Sequence, residues 1–323
     1  MQYTHLGRSG LLVSRLCLGT MNFGPHTTEP DAHAIMDAAI AAGINFFDTA
    51  NVYGWKKGEG VTEQIIGRWF AKGGQRREKV VIATKVYGTM SDWPNDGRLS
   101  ARHIVAACEA SLRRLRTDRI DLYQMHHVDR DAPWDEIWQA AETLVQQGKV
   151  LYVGSSNFAG WHIAQAQCAA RERHFMGLVS EQCLYNLAVR NAEEEVLPAA
   201  RACGVGVIPW SPLFGGVLGG ILAKQDRSGR ATSERTQERL REQGDRIERY
   251  ESLCHELSTP PAVIALAWLL HQPGVTAPII GPRTIEQLEE SLPVPETKLD
   301  ESTLHRLDEI FPAHGPAPEA WAW

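Results

Sequence analysis

The chain has 323 residues, 43% of them hydrophobic and 22% charged, which is the composition of an ordinary soluble globular protein. Its formal net charge of −6, with no basic stripe along the chain, argues against a nucleic-acid-binding protein. No apolar run approaches the roughly 20 residues that span a bilayer, and the first residues do not resemble a signal peptide.

Strand-like and helix-like segments alternate from about residue 14 to residue 293. The candidate strands are 15–19, 44–49, 80–85, 120–126, 150–155, 178–182, 206–210 and 277–281. The helical patterns between and after them are 29–42, 62–71, 101–115, 134–147, 160–173, 191–202, 261–271 and 284–291. Eight such units pair in parallel through right-handed crossovers, so we expect the α/β class and a (β/α)8 TIM barrel, with residues 1–323 forming a single domain.

Three segments fall outside the repeating units. Residues 3–6 and 11–14 flank the turn Gly7-Arg8-Ser9-Gly10, which predicts an N-terminal β-hairpin over residues 1–14 that caps the closed bottom of the barrel. The polar stretch 214–245 is predicted to be a long flap loop over the C-terminal mouth. The C-terminal tail 312–323, with three prolines and two tryptophans, is either a second flap or a frayed end.

Six cysteines are scattered along the chain without a C-x-x-C pair, and most have apolar neighbours. This pattern indicates buried free thiols in a reducing compartment, so we expect a cytoplasmic protein. There is no H-E-x-x-H motif, and the adjacent His126 and His127 would need unusual backbone geometry to share an ion. We therefore expect no metal site.

Four side chains that can exchange protons or charge fall at or just after strand-like runs: Asp48, Tyr53, Lys85 and His126. In a barrel of parallel strands, such positions converge on one mouth. Carbonyl reduction needs a proton donor at the oxygen, and a tyrosine serves if its pKa of about 10 is lowered by a nearby lysine that has a carboxylate partner. Each residue alone is more often structural, but all four at the ends of strands two, three and four favour a catalytic site.

The sequence around these residues resembles the aldo-keto reductase family over nearly the whole chain. The resemblance rests on Asn45-Phe46-Phe47-Asp48-Thr49-Ala50-Asn51-Val52-Tyr53-Gly54, Ala83-Thr84-Lys85 and Asp121-Leu122-Tyr123-Gln124-Met125-His126. It implies that Tyr53 is the acid/base, that Lys85 modulates its pKa, that Asp48 partners the lysine and that His126 orients the carbonyl.

The resemblance also implies a nicotinamide dinucleotide cofactor. A Rossmann fingerprint is absent, because Gly204-Val205-Gly206 lacks the third glycine. Instead, Ser156, Asn157 and Gln182 would hold the carboxamide, Trp210 would stack on the nicotinamide ring, and the loop 211–216 would offer backbone N–H groups to the pyrophosphate, although a glycine-rich turn alone can be purely structural. The predicted cofactor residues are Gly19, Thr20, Met21, Ser156, Asn157, Gln182, Trp210, Ser211, Leu213, Gly215, Gly216, Gly281, Arg283, Gln287, Glu290 and Ser291.

The cofactor is expected to be NADPH (NADP+), with NADH possible. After the eighth strand, Arg283 stands at a helix start, and both features suit a ribose 2′-phosphate. The resemblance implies the same role for Arg283 and places Gln287 and Glu290 at the adenosine. The family often has asparagine where Ser291 stands and, in this branch, lysine where Ile221 stands, and these two departures keep NADH open.

The sequence leaves more than one substrate class open. The runs 132–136, 155–161 and 182–187 look like a bacterial branch that includes reductases of nucleotide-activated deoxysugars and reductases with broad aldehyde and ketone activity. The pair Lys56-Lys57 would meet a nucleotide diphosphate or form a solvated turn. Some proteins of this fold are instead cofactor-binding regulatory subunits of membrane channels, and the oligomeric state is open. The candidate substrate-pocket residues, each equally readable as loop packing, are Trp55, Tyr87, Trp93, His127 and Phe158.

Overall fold

A parallel eight-stranded sheet forms the centre of the molecule in a computed structural model, which describes residues 1–222 and 234–322. The strands of the chain are β1 Tyr3–His5, β2 Leu12–Ser14, β3 Cys17–Gly19, β4 Phe46–Asp48, β5 Val81–Val86, β6 Ile120–Met125, β7 Val150–Ser156, β8 Leu178–Gln182, β9 Gly206–Val207 and β10 Ile279–Ile280. The order across the sheet is β10-β3-β4-β5-β6-β7-β8-β9, and every neighbouring pair is parallel.

The sheet closes on itself at its two edges. The N–H of Thr276 donates to the carbonyl of Val207 at 2.8 Å, and the N–H of Ile279 donates to the carbonyl of Pro209 at 2.9 Å. The segment that leads into β10 therefore pairs with β9 and the residues after it, as a barrel requires. The predicted (β/α)8 barrel is confirmed.

Successive residues of the strands alternate between the barrel interior and the surrounding helices. Phe46 is buried in a small interior cluster, whereas Phe47 is buried in the large outer core and stacks on Trp69 with ring centroids 5.7 Å apart. This alternation is the two-residue period of a strand whose two faces are both covered. It places Asp48, two residues after Phe46, on the interior face.

The helices follow the strands as the repeating pattern predicts. Ser100 caps α3 by accepting a hydrogen bond from the N–H of His103, and Gly204 ends α6 in the left-handed conformation. The helices are α1 Glu29–Ala41, α2 Val61–Phe70, α3 Ala101–Leu115, α4 Trp134–Gln146, α5 Gly160–Glu172, α6 Val196–Cys203, α7 Glu234–Glu256, α8 Pro261–His271, α9 Ile285–Glu289, α10 Glu301–Ile310 and α11 Glu319–Ala322, with short 3-10 helices at Asn191–Glu193, Phe214–Gly219 and Val294–Glu296.

One predicted helix is divided in two. The pattern over 191–202 is a 3-10 turn followed by α6, with Glu195 between them at φ −133°. Pro198 explains the break, because its ring clashes with the carbonyl four residues earlier and confines it to the first turn of a helix. The helix therefore begins at Val196 and cannot extend back to residue 191.

The prediction of a loop over 214–245 is wrong for its described second part, because α7 spans Glu234–Glu256, with a kink at Gln243 where φ is −127° and ψ is 17°. The helix is highly charged but buries a narrow apolar stripe that includes Ile247, Tyr250 and Leu253. A stripe at this spacing is typical of an amphipathic helix, and most of it lies beyond residue 245. The part of the predicted flap from 223 to 233 lies outside the described residues.

The N-terminal hairpin lies across the starts of the strands. β1 and β2 pair antiparallel, and Leu6 is buried in the interior cluster. The turn residue Gly7 has φ +55°, and a Cβ there would come within 2.5 Å of the carbonyl oxygen of Val179. Only glycine therefore fits this close approach of the turn to β8.

The C-terminal tail is attached to the loop that follows β8. The N–H of Ala317 donates to the carbonyl of Glu194 at 2.8 Å, and the indole of Trp321 donates to the carboxylate of the same residue at 3.3 Å. Of the two alternatives raised for the tail, a frayed end does not describe residues 312–322, while Trp323 lies outside the described residues.

Within residues 1–222 and 234–322, no single helix is long and apolar enough to span a membrane. The segments Thr236–Glu256 and Pro261–His271 meet the length and composition test only as a pair, and they are bent by 94° at their junction. The second of these, α8, is almost entirely buried in the protein's own core from Val263 to Leu269.

Candidate active site

The four predicted catalytic residues lie together at the C-terminal mouth of the barrel. The Lys85 Nζ atom is 2.6 Å from Asp48 Oδ2 and 3.0 Å from the Tyr53 hydroxyl. The rings of Tyr53 and His126 meet edge to face with centroids 5.9 Å apart. Asp48 and Lys85 are buried, whereas Tyr53 and His126 are half-buried and border the mouth.

Strand register and one turn produce this arrangement. Asp48 ends β4 opposite Ala83, so Lys85 lies one interior position further along β5. The turn after β4 then brings Tyr53 back over the lysine. Two backbone hydrogen bonds hold this turn in place. The N–H of Asn51 donates to the carbonyl of Lys85 at 3.3 Å, and the N–H of Thr62 donates to the carbonyl of Tyr53 at 3.3 Å.

Two glutamines complete the environment of the buried carboxylate. The side-chain amides of Gln124 and Gln182 donate to Asp48 Oδ1 at 3.1 and 2.8 Å, while Oδ2 receives the lysine. Gln124 was not singled out from the sequence. The available signal was its position two residues before His126 on one strand, since residues two apart share a face.

Burial and neighbouring charges together set the protonation states of the site. Burial raises the pKa of Tyr53 above its ordinary value, while Lys85 acts in the opposite, lowering direction, as the sequence led us to expect. Burial alone would lower the pKa of Lys85, but Asp48 and Tyr53 outweigh it and raise that pKa. Burial, with the charges of Lys85 and His127, lowers the pKa of His126 to about 3. At neutral pH the site holds a neutral phenol, an ammonium ion and a neutral imidazole.

The residues predicted to hold the carboxamide are joined to the catalytic residues. Asn157 has φ +60° and donates through Nδ2 to the carbonyl of His126 at 3.1 Å. Its Oδ1 accepts the indole N–H of Trp210 at 3.0 Å. The Ser156 hydroxyl donates to the carbonyl of Gln182 at 2.9 Å, and the Gln182 side chain reaches Asp48. One hydrogen-bond network therefore spans the ends of β4, β6, β7 and β8 and the residue Trp210.

The glycine-rich loop after Trp210 has a left-handed backbone. Phe214, Gly215 and Gly216 have φ of +51°, +71° and +102°. The N–H of Gly215 donates to the Ser211 hydroxyl at 3.2 Å, and that of Gly216 donates to the carbonyl of Leu213 at 2.8 Å. These N–H groups are used within the loop, so they would have to be released before they could bind a pyrophosphate.

The loops after β3 and β10 contact each other. Thr20 is buried and donates through its N–H and its hydroxyl to the carbonyl of Asp48 at 3.0 and 2.8 Å, while Met21 is exposed. A side-chain amide of the same loop, from Asn22, donates to the carbonyl of Gly281 at 2.8 Å. Gly19 ends β3, where a Cβ would come within 2.5 Å of the Ile279 side chain.

Arg283 stands at the start of α9 with a free guanidinium. Its N–H donates to Gln287 Oε1 at 2.9 Å, but its guanidinium meets no hydrogen-bond or ion-pair partner in the part of the chain that the structure describes. Glu290 is exposed on the same segment. The hydroxyl of Ser291 is buried and donates to the carbonyl of Gln287 at 3.2 Å, so it is turned back onto its own helix.

Most of the predicted substrate-pocket residues lie on loops beside the mouth. Trp55 is 61% exposed and meets the His26 ring edge to face, and Trp93 is 75% exposed. Tyr87 and His127 lie with ring centroids 5.5 Å apart. The loops of the two tryptophans are joined by an ion pair between Lys57 and Asp92.

Phe158 does not line the mouth, and its assignment to the substrate pocket is wrong. Its side chain is only 2% exposed. It packs against the rings of Trp134 and His162, with both centroid distances 6.0 Å. The ring fills the space where α4 meets the start of α5, which removes its apolar area from water.

A buried acid next to the site was missed in the sequence. Glu181 on β8 accepts hydrogen bonds from the N–H of Phe158 at 3.0 Å and from the hydroxyl of Ser155. Burial raises its pKa to about 8, because no described cation compensates the charge. The signal that could have revealed it is an ionisable residue inside an otherwise buried strand.

One thiol, that of the buried Cys17, lies near enough to Asp48 and Lys85 for their charges to influence its pKa, which burial raises. All six cysteines are free, and Cys168 is the exposed one. Within residues 1–222 and 234–322, no group of three or more His, Cys, Asp and Glu side chains is placed to share a metal ion.

A closed barrel with a Tyr–Lys–Asp–His group at its mouth matches a known class of enzymes. The family model described as "Aldo/keto reductase family" matches residues 15–311. The chain belongs to the aldo/keto reductase family, whose members generally use NADPH or NADH.

Relatives along the full length differ in their described activities. An uncharacterized oxidoreductase, YrpG, of Bacillus subtilis (strain 168) is 57% identical over 100% of both chains. The versiconal hemiacetal acetate reductase of Aspergillus parasiticus is 33% identical over 96% of this chain and 97% of its own. A probable voltage-gated potassium channel subunit beta of Oryza sativa subsp. japonica is 33% identical over 90% of each.

The buried pair predicts an asymmetric loss of stability. Asp48→Asn removes the only described anion of Lys85 and should lower the free energy of unfolding by about 3–5 kcal/mol. Lys85→Met should cost less, because both glutamine amides still bind Asp48. The double variant should lose about 1–3 kcal/mol less than the sum of the single losses. Urea unfolding measures all three.

Arg306→Gln is the matched control, since the Arg306–Glu256 pair is exposed. It should change stability by less than about 1 kcal/mol. Strictly additive losses for the two buried substitutions would show that the pair does not act as a unit.

Proposed function

We propose that this protein is an NADPH-dependent carbonyl reductase in which Tyr53 donates the proton. The observation that carries the proposal is the placement of the Tyr53 hydroxyl 3.0 Å from Lys85 Nζ, which in turn lies 2.6 Å from the buried Asp48. A phenol next to an ammonium ion that is paired with a carboxylate, at the mouth of a barrel, is suited to donating a proton to a substrate oxygen.

The residues present fit a nicotinamide dinucleotide. When bound, this cofactor supplies the hydride. Ser156, Asn157 and Gln182 offer amide and hydroxyl groups for the carboxamide, and Trp210 offers a ring whose edge is fixed by its hydrogen bond to Asn157. The guanidinium of Arg283, which has no partner among residues 1–222 and 234–322, suits a phosphate, which it can bind through two parallel hydrogen bonds.

The side chains of the site divide the work of proton transfer. Tyr53 is protonated at neutral pH and gives its proton to the carbonyl oxygen. The Lys85 ammonium stabilises the phenolate that remains, and Asp48 keeps that ammonium charged. His126 is neutral, so it can donate an N–H to the carbonyl oxygen without adding a second positive charge.

The preference for NADPH is part of the proposal and rests on Arg283. The family lysine that Ile221 replaces is missing, and Ile221 is 8% exposed with its side chain in the hydrophobic core. The hydroxyl of Ser291 is already bonded within α9. Arg283 is therefore the cation that we assign to the 2′-phosphate. We also place the protein in the cytoplasm, which suits its six free thiols.

For the substrate we propose a nucleotide-activated keto-deoxysugar, with simple aldehydes as the competing class. The exposed rings of Trp55 and Trp93 offer flat apolar faces beside the mouth. Lys56 lies near Glu59 at 3.7 Å and Lys57 is paired with Asp92, so a diphosphate would have to compete with these carboxylates.

A second candidate function is a cofactor-binding regulatory or redox-sensing subunit with weak catalysis. The similarity to a protein described as a potassium channel beta subunit supports it. The complete catalytic group is also compatible with such a role, so the two functions differ in turnover rather than in the residues of the site.

Replacing Tyr53 by Phe removes the proton donor but keeps the ring. We expect turnover to fall by at least about a hundredfold, since general acid catalysis contributes 10²–10⁴-fold. The affinity for NADPH should stay within about threefold, because the hydroxyl contacts Lys85 and not the predicted cofactor residues. Steady-state kinetics and calorimetric titration measure the two quantities. Retained turnover would contradict the role of Tyr53.

The protonation states predict a broad pH profile for reduction. The pKa of His126 is about 3 and that of Tyr53 is raised, so neither group should titrate near neutrality. We expect kcat at saturating NADPH to be flat from about pH 5 to about pH 9 and to fall only where the phenol ionises. A fall centred near pH 7–8 would mean that the tyrosine pKa is lowered after all.

Replacing Arg283 by Ala tests the 2′-phosphate assignment. The KM for NADPH should rise at least about tenfold, because one pair of charge-assisted hydrogen bonds is lost. The KM for NADH should change by less than about twofold, because NADH lacks the 2′-phosphate. Arg283→Lys should be intermediate, because an ammonium keeps the charge but not the fork of donors. Equal changes for the two cofactors would place the phosphate elsewhere.

A panel of carbonyl compounds distinguishes the proposed substrates and the second function. NADPH oxidation would be followed by absorbance with simple aromatic aldehydes, a dicarbonyl and a nucleotide-linked keto-deoxysugar, with NADH in parallel. Strong preference for the nucleotide sugar supports the proposed substrate class, and broad aldehyde turnover replaces it by a generalist reductase. Tight NADPH binding without turnover of any compound would favour the regulatory subunit.

A further inference from the structure

Glu181 is a buried carboxyl group without a compensating cation. Its side chain is 0% exposed, and among the described residues it forms no ion pair with a lysine, arginine or histidine. Its titratable neighbour is Cys183, whose own pKa is raised first by burial and then by this carboxyl group. An acid in such a place is costly to the folded state, so its presence calls for an explanation in function.

The direction of the side chain gives that explanation. On β8, the next residue Gln182 points into the barrel and bonds to Asp48. Because neighbouring strand residues point to opposite faces, Glu181 points away from the interior, toward the chain that leads into α5. There it accepts the hydroxyl of Ser155 and the N–H of Phe158 at 3.0 Å.

These two contacts enclose the residues that make the cofactor site. Ser155 and Phe158 flank Ser156 and Asn157, and Asn157 is held at φ +60°, a conformation that non-glycine residues adopt rarely. From this conformation Asn157 reaches the carbonyl of His126 and the indole of Trp210 at the same time. The two hydrogen bonds to Glu181 fix both ends of this turn.

We propose that Glu181 is a positioning residue that locks the turn 155–158 and thereby sets the affinity for the nicotinamide cofactor. The inference rests on the proposed function, because it takes Asn157 and Trp210 to be cofactor residues. Glu181 touches neither the catalytic group nor any predicted cofactor side chain directly. It acts through the backbone of Phe158 and the hydroxyl of Ser155.

The test compares two substitutions of Glu181. Glu181→Leu removes the acceptor for the N–H of Phe158, whereas Glu181→Gln keeps an oxygen there without a charge. We expect the Kd for NADPH, measured by isothermal titration calorimetry, to rise at least about tenfold for Leu and to stay within about threefold for Gln. Saturating NADPH should return kcat of Glu181→Leu to within about threefold of the wild type, because the tyrosine and its lysine are untouched.

Ser180→Ala is the matched control on the same strand. The Ser180 hydroxyl is buried and has no hydrogen-bond partner among the described residues, so its loss should leave the Kd within about twofold. Thermal melting of each variant accompanies the titration. A merely structural role would lower the melting temperature and kcat of Glu181→Leu together, and that result would overturn the inference.

A double-variant cycle combines Glu181→Leu with Asn157→Ala. If Glu181→Leu does not fold, Ser155→Ala replaces it in the cycle, because Ser155 forms the other hydrogen bond to Glu181. If Glu181 acts through Asn157, the second substitution should add less than about twofold to the Kd change of the first. Fully additive effects, or an unchanged Kd in Glu181→Leu beside tight wild-type binding, would overturn this inference alone. Wild-type protein that binds neither NADPH nor NADH would overturn the proposed function and this inference with it.

Discussion

The buried ion pair between Lys85 and Asp48 is the constraint on which the rest of the site depends. An ammonium ion that is withdrawn from water is stable only beside a counter-charge and with its remaining donors bonded. Here Asp48 Oδ2 supplies the charge, and the carbonyl of Thr49 and the hydroxyl of Tyr53 accept the other two bonds. The tyrosine is therefore part of the structure that makes the lysine tolerable, and it cannot move without leaving a lysine donor unbonded.

The same requirement connects the catalytic group to the distant side of the barrel. The second oxygen of Asp48 needs donors as well, and it receives them from Gln124 on β6 and Gln182 on β8. Gln182 in turn contacts the Ser156–Asn157 turn, since the Ser156 hydroxyl donates to the Gln182 carbonyl. Strands from both halves of the closed sheet thus share one network. A barrel suits this arrangement because its closed sheet holds the strand ends at fixed separations.

The sequence allowed the barrel and the proximity of Asp48, Tyr53, Lys85 and His126 at its mouth to be predicted, because a polar residue that ends an apolar strand has few alternative positions. Other features depended on neighbours that no local pattern encodes. Phe158 looked like a rim residue, but its burial is decided by Trp134 of another helix. The helix α7 was missed in the sequence because most of its residues are charged or polar and only a narrow stripe of it is apolar. The net pKa of Tyr53 depends on how burial balances the lysine, and only the folded structure gives that balance.

The division between interior and rim explains why relatives with such different descriptions share one family. The network around Asp48 is buried inside the barrel, and its members that border the mouth are the half-buried Tyr53 and His126. Trp55 and Trp93 lie on exposed loops that are joined to each other by the Lys57–Asp92 pair. Loops of this kind can change without disturbing the buried charges. Under the proposed function, we therefore expect the rim loops to set selectivity among carbonyl compounds and the strand ends beneath them to hold the proton donor.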